Sequence, residues 1–140
     1  MMGEASYPED LLYHPEHDWA RIDAAAGEAT LGITWYAQDA LGEVVFFELP
    51  AVGSAVRKGQ PYAEVESVKA VSDVIAPLSG EIIEVNQKVV DAPETVNEDP
   101  YGEGWLVRIR LADASEPDSL LDVGAYKHVL AETVLAAGTP

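Results

Sequence analysis

Six short runs rich in Val, Ile, Phe and Tyr recur along the chain between Gly and Pro punctuation: EATLGI, EVVFFEL, PYAEVE, AVSDVI, EIIEV and WLVRIRL. Runs of this length bounded by turn residues predict strands, and a succession of them predicts an all-β sandwich or barrel core. In WLVRIRL the apolar Trp105, Val107, Ile109 and Leu111 alternate with Leu106, Arg108 and Arg110, the pattern of a strand wet on one face. Helical signals lie in the middle and the tail. Thr34 is placed to cap WYAQDAL, with Gly42 ending that helix in the left-handed conformation that glycine adopts cheaply. Ser115 and Asp118 form an [ST]-x-x-[DE] capping pattern ahead of Leu120 and Leu121. AYKHVLAETVLAA then sets Tyr126, Leu130 and Val134 on one helical face, and the final AAGTP is expected to fray. The expectation is one domain over 1–140, with a core over 13–112 and a helical segment over 115–136.

An internal echo adds to this picture. Pro50, Gly53, Val56 and Gly59 return 27 positions later as Pro77, Gly80, Ile83 and Asn86. A proline leaving a strand, a turn-tolerant residue and a β-branched core residue ask for the same local backbone in both copies, which suggests two related β units. That displacement also maps Lys69 onto Gly42, so a pseudo-twofold relation would set these residues at equivalent corners on opposite ends of a flattened barrel.

Composition narrows the function. Asp plus Glu number 25 against 8 Lys plus Arg, a formal net charge of −17. Such a surface repels nucleic-acid phosphates and anionic lipid, so neither nucleic acid nor membrane is expected as a partner. The absence of cysteine excludes disulfides, thiolate metal sites and thiol nucleophiles, and fits a reducing cytoplasm. MMGEASYPEDLL has neither a basic nor an apolar leader region, and no segment is long enough to cross a bilayer, so the chain reads as a soluble, unprocessed protein, expected to be monomeric. His14 and His17 lack thiols or a clustered third ligand, so no metal is expected, and His17 is read as ordering the N-terminal strand. An enzyme reading finds no nucleophile beside a base and no phosphate-cradling loop.

One basic residue stands out in VESVKAVSDV. The flanking strands make Ser67, Val68 and Lys69 a hairpin tip, which points the amine into water. A tip lysine lacks the desolvation that Schiff-base or general-base work requires. It suits acylation by another enzyme, whose active site must engulf a protruding turn and find one nucleophile.

VESVKAVSDVIAPLSGEIIEVN resembles the lipoyl-attachment region of glycine cleavage system H proteins, the lipoyl carriers of that complex. Related carriers typically read DKA or MKM where this chain reads VKA. YHPEHDWARI, GEATLGIT, YAQDALGEVVFFELPAVGSAVRKGQ, VNEDPYGEGWLVRI and LLDVGAYKHVL follow in the family's order, so the resemblance runs from about Tyr13 to Leu130. It implies an all-β, barrel-sandwich-hybrid fold of the lipoyl- and biotinyl-carrier kind, with short peripheral and C-terminal helices. It implies that Lys69 bears a lipoyl group through an amide, as an anchor and not a catalyst.

Glu66 and Gly80 match positions tied to presentation to the lipoylating enzyme, although the turn of the repeat is reason enough for Gly80. The implied role is to carry an aminomethyl group from glycine decarboxylase to a tetrahydrofolate-dependent aminomethyltransferase, the dithiol then being reoxidised by dihydrolipoyl dehydrogenase. The loaded arm, ending in a reactive primary amine, is implied to shelter in a cleft lined by Glu16, Asp18 and Asp73, the last two as counter-ions. Where many members have a Thr and an acid, then His before AQ, this chain has Trp35 and Tyr36, and an imidazole of some members is Ala40 here. A more apolar cleft follows, unless the two aromatics serve the core. Two other readings compete: an H-like protein relaying lipoyl groups to other acceptors, and an unmodified β-sandwich interaction module.

Overall fold

The computed structural model describes residues 6–138, with side chains through Leu135. Among these residues nine strands form two antiparallel sheets. The first takes the order β1 (Leu12–His14), β2 (Asp18–Asp23), β3 (Glu28–Ile33), β9 (Val107–Leu111), β8 (Gly80–Val85), β5 (Ala55–Val56). The second takes the order β4 (Val44–Glu48), β6 (Pro61–Ser67), β7 (Val71–Ile75). Short helices α1 (Trp35–Leu41), α2 (Gln87–Asp91) and α3 (Thr95–Glu98) lie on connections, and α4 (Val123–Gly138) closes the chain. The fold is thus all-β with peripheral helices, two sheets facing each other in a sandwich-like arrangement.

Leu31, Ile33, Val107 and Ile109 of the first sheet meet Val44, Phe47, Val65 and Val74 of the second in one buried cluster. Each such side chain contributes roughly 1.5–3 kcal/mol on leaving water, and this contact presses the sheets together. A second cluster of Leu11, Tyr13, Trp19 and Tyr126 docks α4 on the N-terminal strands. Tyr13 and Tyr126 stack there at 4.7 Å. Gly32 is required beneath Trp19, since a Cβ on it would overlap the indole.

All six predicted strands form, EATLGI with its predicted ends. β1, β2 and β5 add to them. β2 reads DWARID, whose two aspartates and arginine mask the strand signal. In WLVRIRL the alternation holds from Val107 onward, with Arg108 and Arg110 exposed, but it breaks before the strand: Leu106 is fully buried while Trp105 is half-buried. Thr34 caps α1 as predicted, its side chain accepting from the Ala37 amide.

The C-terminal segment departs from expectation. Ser115 caps nothing, because its hydroxyl donates to Asp113 and a 3-10 turn (Glu116–Ser119) follows; the first turn of α4 is held instead by Asp122, which accepts from the Ala125 amide. Val134 does not join Tyr126 in the core; it is 50% exposed, and Leu130 is half-buried. The backbone of α4 runs through Gly138, and the last two residues of AAGTP, 139–140, lie outside the described residues.

The echo fails as structure. Gly53 has φ 94°, whereas Gly80 lies inside β8; Gly59 has φ 84°, whereas Asn86 at φ −79° caps α2; and Ile82, not Ile83, fills the core. Nor do Lys69 and Gly42 stand at opposite ends. β4 and β6 run antiparallel with Val44 opposite Ser67, so the two residues share one end.

Candidate functional site

β6 and β7 are joined by a turn whose geometry is set by one side chain. The Ser67 amide donates to the Ala70 carbonyl at 2.8 Å. The Ser67 hydroxyl oxygen accepts from the amides of Ala70 (3.1 Å) and Lys69 (3.3 Å). Serine thus satisfies the donors that a tight turn leaves open, and no tip residue needs a positive φ. The turn is braced from the side, where the Val68 amide donates to the Glu43 carbonyl at 2.9 Å. Lys69 is exposed at the tip of this stiff loop.

Gly42, the residue after α1, lies under the lysine stem: a Cβ on it would stand 3.5 Å from Lys69 Cε. Its φ of 81° and ψ of −153° fall in a region essentially reserved for glycine, distinct from the left-handed helical conformation expected for it. Asn97 fixes this corner. Its amide donates to the Gly42 carbonyl (2.8 Å) and to Gln38 (3.0 Å), and its carbonyl accepts from the Val44 amide (2.9 Å). Sequence reading passed over Asn97, since an asparagine in a helical turn carries no signal of what it reaches across 53 residues.

Around the tip the second sheet exposes an apolar collar: Phe46, Val68 and Val71 are 46%, 66% and 63% exposed. The register sets Phe46, Glu66 and Val71 side by side, which puts the Glu66 carboxylate between two exposed apolar groups. Gly80 lies elsewhere, in the first sheet, where a Cβ would collide with the Arg110 carbonyl. Close approach of two strands, and not a turn, makes glycine necessary there.

Adjoining the tip, from Ala70 along β7, is a cleft of about 370 Å³ between β7, α1 and the turn joining β1 to β2. Glu16, Asp18 and Asp73 all line it. They differ in setting. Glu16 and Asp73 are exposed, whereas Asp18 is 2% exposed and its Oδ2 has no hydrogen-bond partner. Burial, and then the neighbouring Glu16, push the Asp18 carboxyl well above the usual carboxylate range. The nearest cation candidate, His14 Nδ1, is 4.0 Å away and already accepts from the Glu16 amide.

The cleft's far wall is ordered by a chain of hydrogen bonds. His17 adopts φ 73°; its Nδ1 pairs with the Tyr126 hydroxyl at 2.8 Å, and that hydroxyl pairs with Thr34 Oγ1 at 2.9 Å. Burial holds His17 below its usual range. Tyr36 and Ala40 line the cleft, the former 4.6 Å from the His17 ring, while Trp35 gives its amide to the Tyr101 hydroxyl and lies off the lining. Of these three positions, Tyr36 and Ala40 reach the cleft and Trp35 does not. Among the described residues no three His, Cys, Asp or Glu side chains are grouped as a metal would need.

The family model for the glycine cleavage H-protein matches residues 11–133, from the strand before the first turn to the middle of α4. The chain belongs to this family. It is 58% identical to the glycine cleavage system H protein of Rubrobacter xylanophilus over 83% of this chain and 89% of that one. It is 49% identical to the H protein of Symbiobacterium thermophilum over 87% and 94%. The crystal structure of an H protein from Mycobacterium marinum superposes with a TM-score of 0.82 at 41% identity, covering 89% of this chain and 99% of that one. Membership makes the chain a lipoyl carrier of the glycine cleavage system and not a catalyst, which accords with a site that offers an exposed amine beside a cleft. No helix among the described residues is long and apolar enough to cross a membrane.

Proposed function

We propose that Lys69 bears the lipoyl group as an amide and that this chain, a cytoplasmic monomer built as one domain, shuttles an aminomethyl group from glycine decarboxylase to the tetrahydrofolate-dependent aminomethyltransferase. Its reduced arm then goes to dihydrolipoyl dehydrogenase. The observation that carries the reading is the joining of an exposed lysine to a cleft whose inner wall holds a buried carboxylate oxygen without a partner. When bound, the lipoyl group supplies a dithiolane that accepts the aminomethyl unit, yields it, and is returned from dithiol to disulfide by a flavin enzyme.

The residues supply the rest. Ser67 and the Glu43 carbonyl hold the turn still, so a lipoylating enzyme meets the Lys69 amine in one place. Glu66, with the apolar collar, is the feature such an enzyme reads beside the amine. Gly80 contributes through the strand contact it permits. Asp18 and Asp73 face the amine of a loaded arm as counter-charges, with Glu16 at the rim; a charge paired inside a cleft gains far more than one in water. The net charge of −17 steers the carrier to basic partner surfaces.

Reconstitution with glycine and the three partner enzymes tests the proposal. The lipoylated chain should support glycine-dependent CO2 release, and Lys69→Ala should abolish it. Little CO2 release from lipoylated chain, with transfer of lipoyl groups to other acceptors, would establish the relay reading in its place.

A further inference from the structure

Among the residues lining the cleft, His17 is the only imidazole. Its backbone takes φ 73°, a conformation that a non-glycine residue keeps only where its surroundings enforce it. The enforcing contacts are on both sides of it. The His17 carbonyl accepts from the Thr34 amide at 3.0 Å, and its Nδ1 meets the Tyr126 hydroxyl of α4 at 2.8 Å. Nε2 has no hydrogen-bond partner and is not among the buried atoms left unpaired, so it is the ring nitrogen open toward the cleft.

The buried hydroxyls decide which nitrogen carries the hydrogen. Thr34 and Tyr126 are both fully buried. The Thr34 oxygen accepts from the Ala37 amide at 3.3 Å, and the Thr34 proton has one acceptor among the described residues, the Tyr126 oxygen at 2.9 Å. Tyr126 must then give its own proton to His17 Nδ1. Burial holds the Tyr126 phenol above its usual range and His17 below its own, so the phenol keeps its proton and the ring is neutral at pH 7. The neutral ring therefore carries its hydrogen on Nε2. The reversed chain would strand the Thr34 proton without an acceptor, which disfavours it by about tenfold.

We propose that Thr34 and Tyr126 are positioning residues that turn the base of His17 away from the cargo: the Nδ1 lone pair is occupied by the Tyr126 hydroxyl, and the cleft meets an N–H. This rests on the reading of the cleft as the shelter of a loaded arm. An amine on a carbon that also bears sulfur is stable while protonated. When a base takes that proton, the nitrogen pair can displace the sulfur, which keeps the pair of the broken C–S bond, and water turns the departing carbon and nitrogen into formaldehyde and ammonia. An imidazole lone pair suits such proton removal near neutral pH better than any other side chain. With Nε2 protonated, the cleft offers the amine carboxylates and no imidazole base.

Imidazole nitrogen NMR of the chain lacking lipoate reads the tautomer without any cargo. At about pH 8, where the ring is neutral, His17 should show Nε2 protonated and Nδ1 accepting a hydrogen bond. Thr34→Asn and Thr34→Asp form the test pair, because both residues cap helices well. The Asn amide keeps a donor for the Tyr126 oxygen and with it the direction of the chain. The Asp carboxylate only accepts, so Tyr126 turns its proton toward it and the His17 hydrogen moves to Nδ1. In the loaded, lipoylated protein, ammonia release should then be roughly threefold or more faster from Thr34→Asp than from Thr34→Asn, although an added carboxylate by itself would hold an ammonium longer. The wild-type spectrum decides the tautomer even where a variant fails to fold.

A wild-type ring protonated on Nδ1, or a hydrogen that stays on Nε2 in Thr34→Asp, would overturn the proposal. So would equal ammonia release from the two variants once the hydrogen has moved. Release no slower from loaded wild type than from free lipoamide loaded in the same way would remove the shelter reading instead, and the role of His17 with it, while the tautomer would stand.

Discussion

The hairpin tip at the mouth of the cleft and the cleft's inner wall follow opposite rules. Beside the mouth, which begins at Ala70, Lys69 stands in water on a loop fixed by the Ser67 hydroxyl and the Glu43 carbonyl. At the inner wall, Asp18 is out of water on a strand, and it lacks the partner that burial normally demands. An anchor for a swinging arm needs an amine that a foreign enzyme can reach and a backbone that does not yield. A holder for a reactive cation needs a carboxylate whose attraction is not spent on solvent. Under the proposed function, stiffness with exposure would serve the first need, and desolvation without pairing the second.

The comparison can be broken first at the mouth. Gly42→Val forces a β-branched residue into a backbone conformation reserved for glycine and crowds the lysine stem. It should cost about 1–3 kcal/mol in denaturant unfolding and slow lipoylation more than tenfold. If it lipoylates at the wild-type rate, the corner does not position the lysine.

At the inner wall the largest effect is from Asp18→Asn. A charge-assisted contact is worth about 1.5–3 kcal/mol, so the loaded arm should lose its aminomethyl group at least about tenfold faster. The same substitution changes the pH dependence of stability. The folded pKa of Asp18 is raised, so its contribution is complete below the unfolded value of about 4 and is lost as pH rises through the folded value. Asparagine does not titrate. The variant should therefore gain on wild type in thermal melts as pH rises from about 4 through the folded value of Asp18.

Smaller effects sharpen the contrast. Ser67→Ala removes the acceptor for two amides at the tip and should cost about 0.5–1.5 kcal/mol, with lipoylation slowed only a few-fold and the cleft untouched. Asp73→Asn should raise arm loss by about fivefold or less, an effect that salt erases, because Asp73 is exposed where Asp18 is not.

The hairpin tip, the Thr34 cap and the six main strands were legible because each is written in neighbouring residues. What was not legible depends on long-range pairing. The spacing of Pro and Gly in the echo is shared, but β8 is held between β5 and β9 and needs Gly80 for strand approach, so identical letters meet different demands. Glu16, Asp18 and Asp73 do come together at one cleft, yet only packing reveals that Asp18 alone is buried.

The central claim is that Lys69 alone, held out by its turn, receives the lipoyl group. Intact-mass measurement after coexpression with a lipoylating enzyme tests it most directly, with Lys69→Arg as the comparison because it keeps the charge and removes the acylable amine. The account predicts one lipoyl increment on wild type and none on Lys69→Arg; an unmodified wild-type chain, or an increment that survives the substitution, would contradict it.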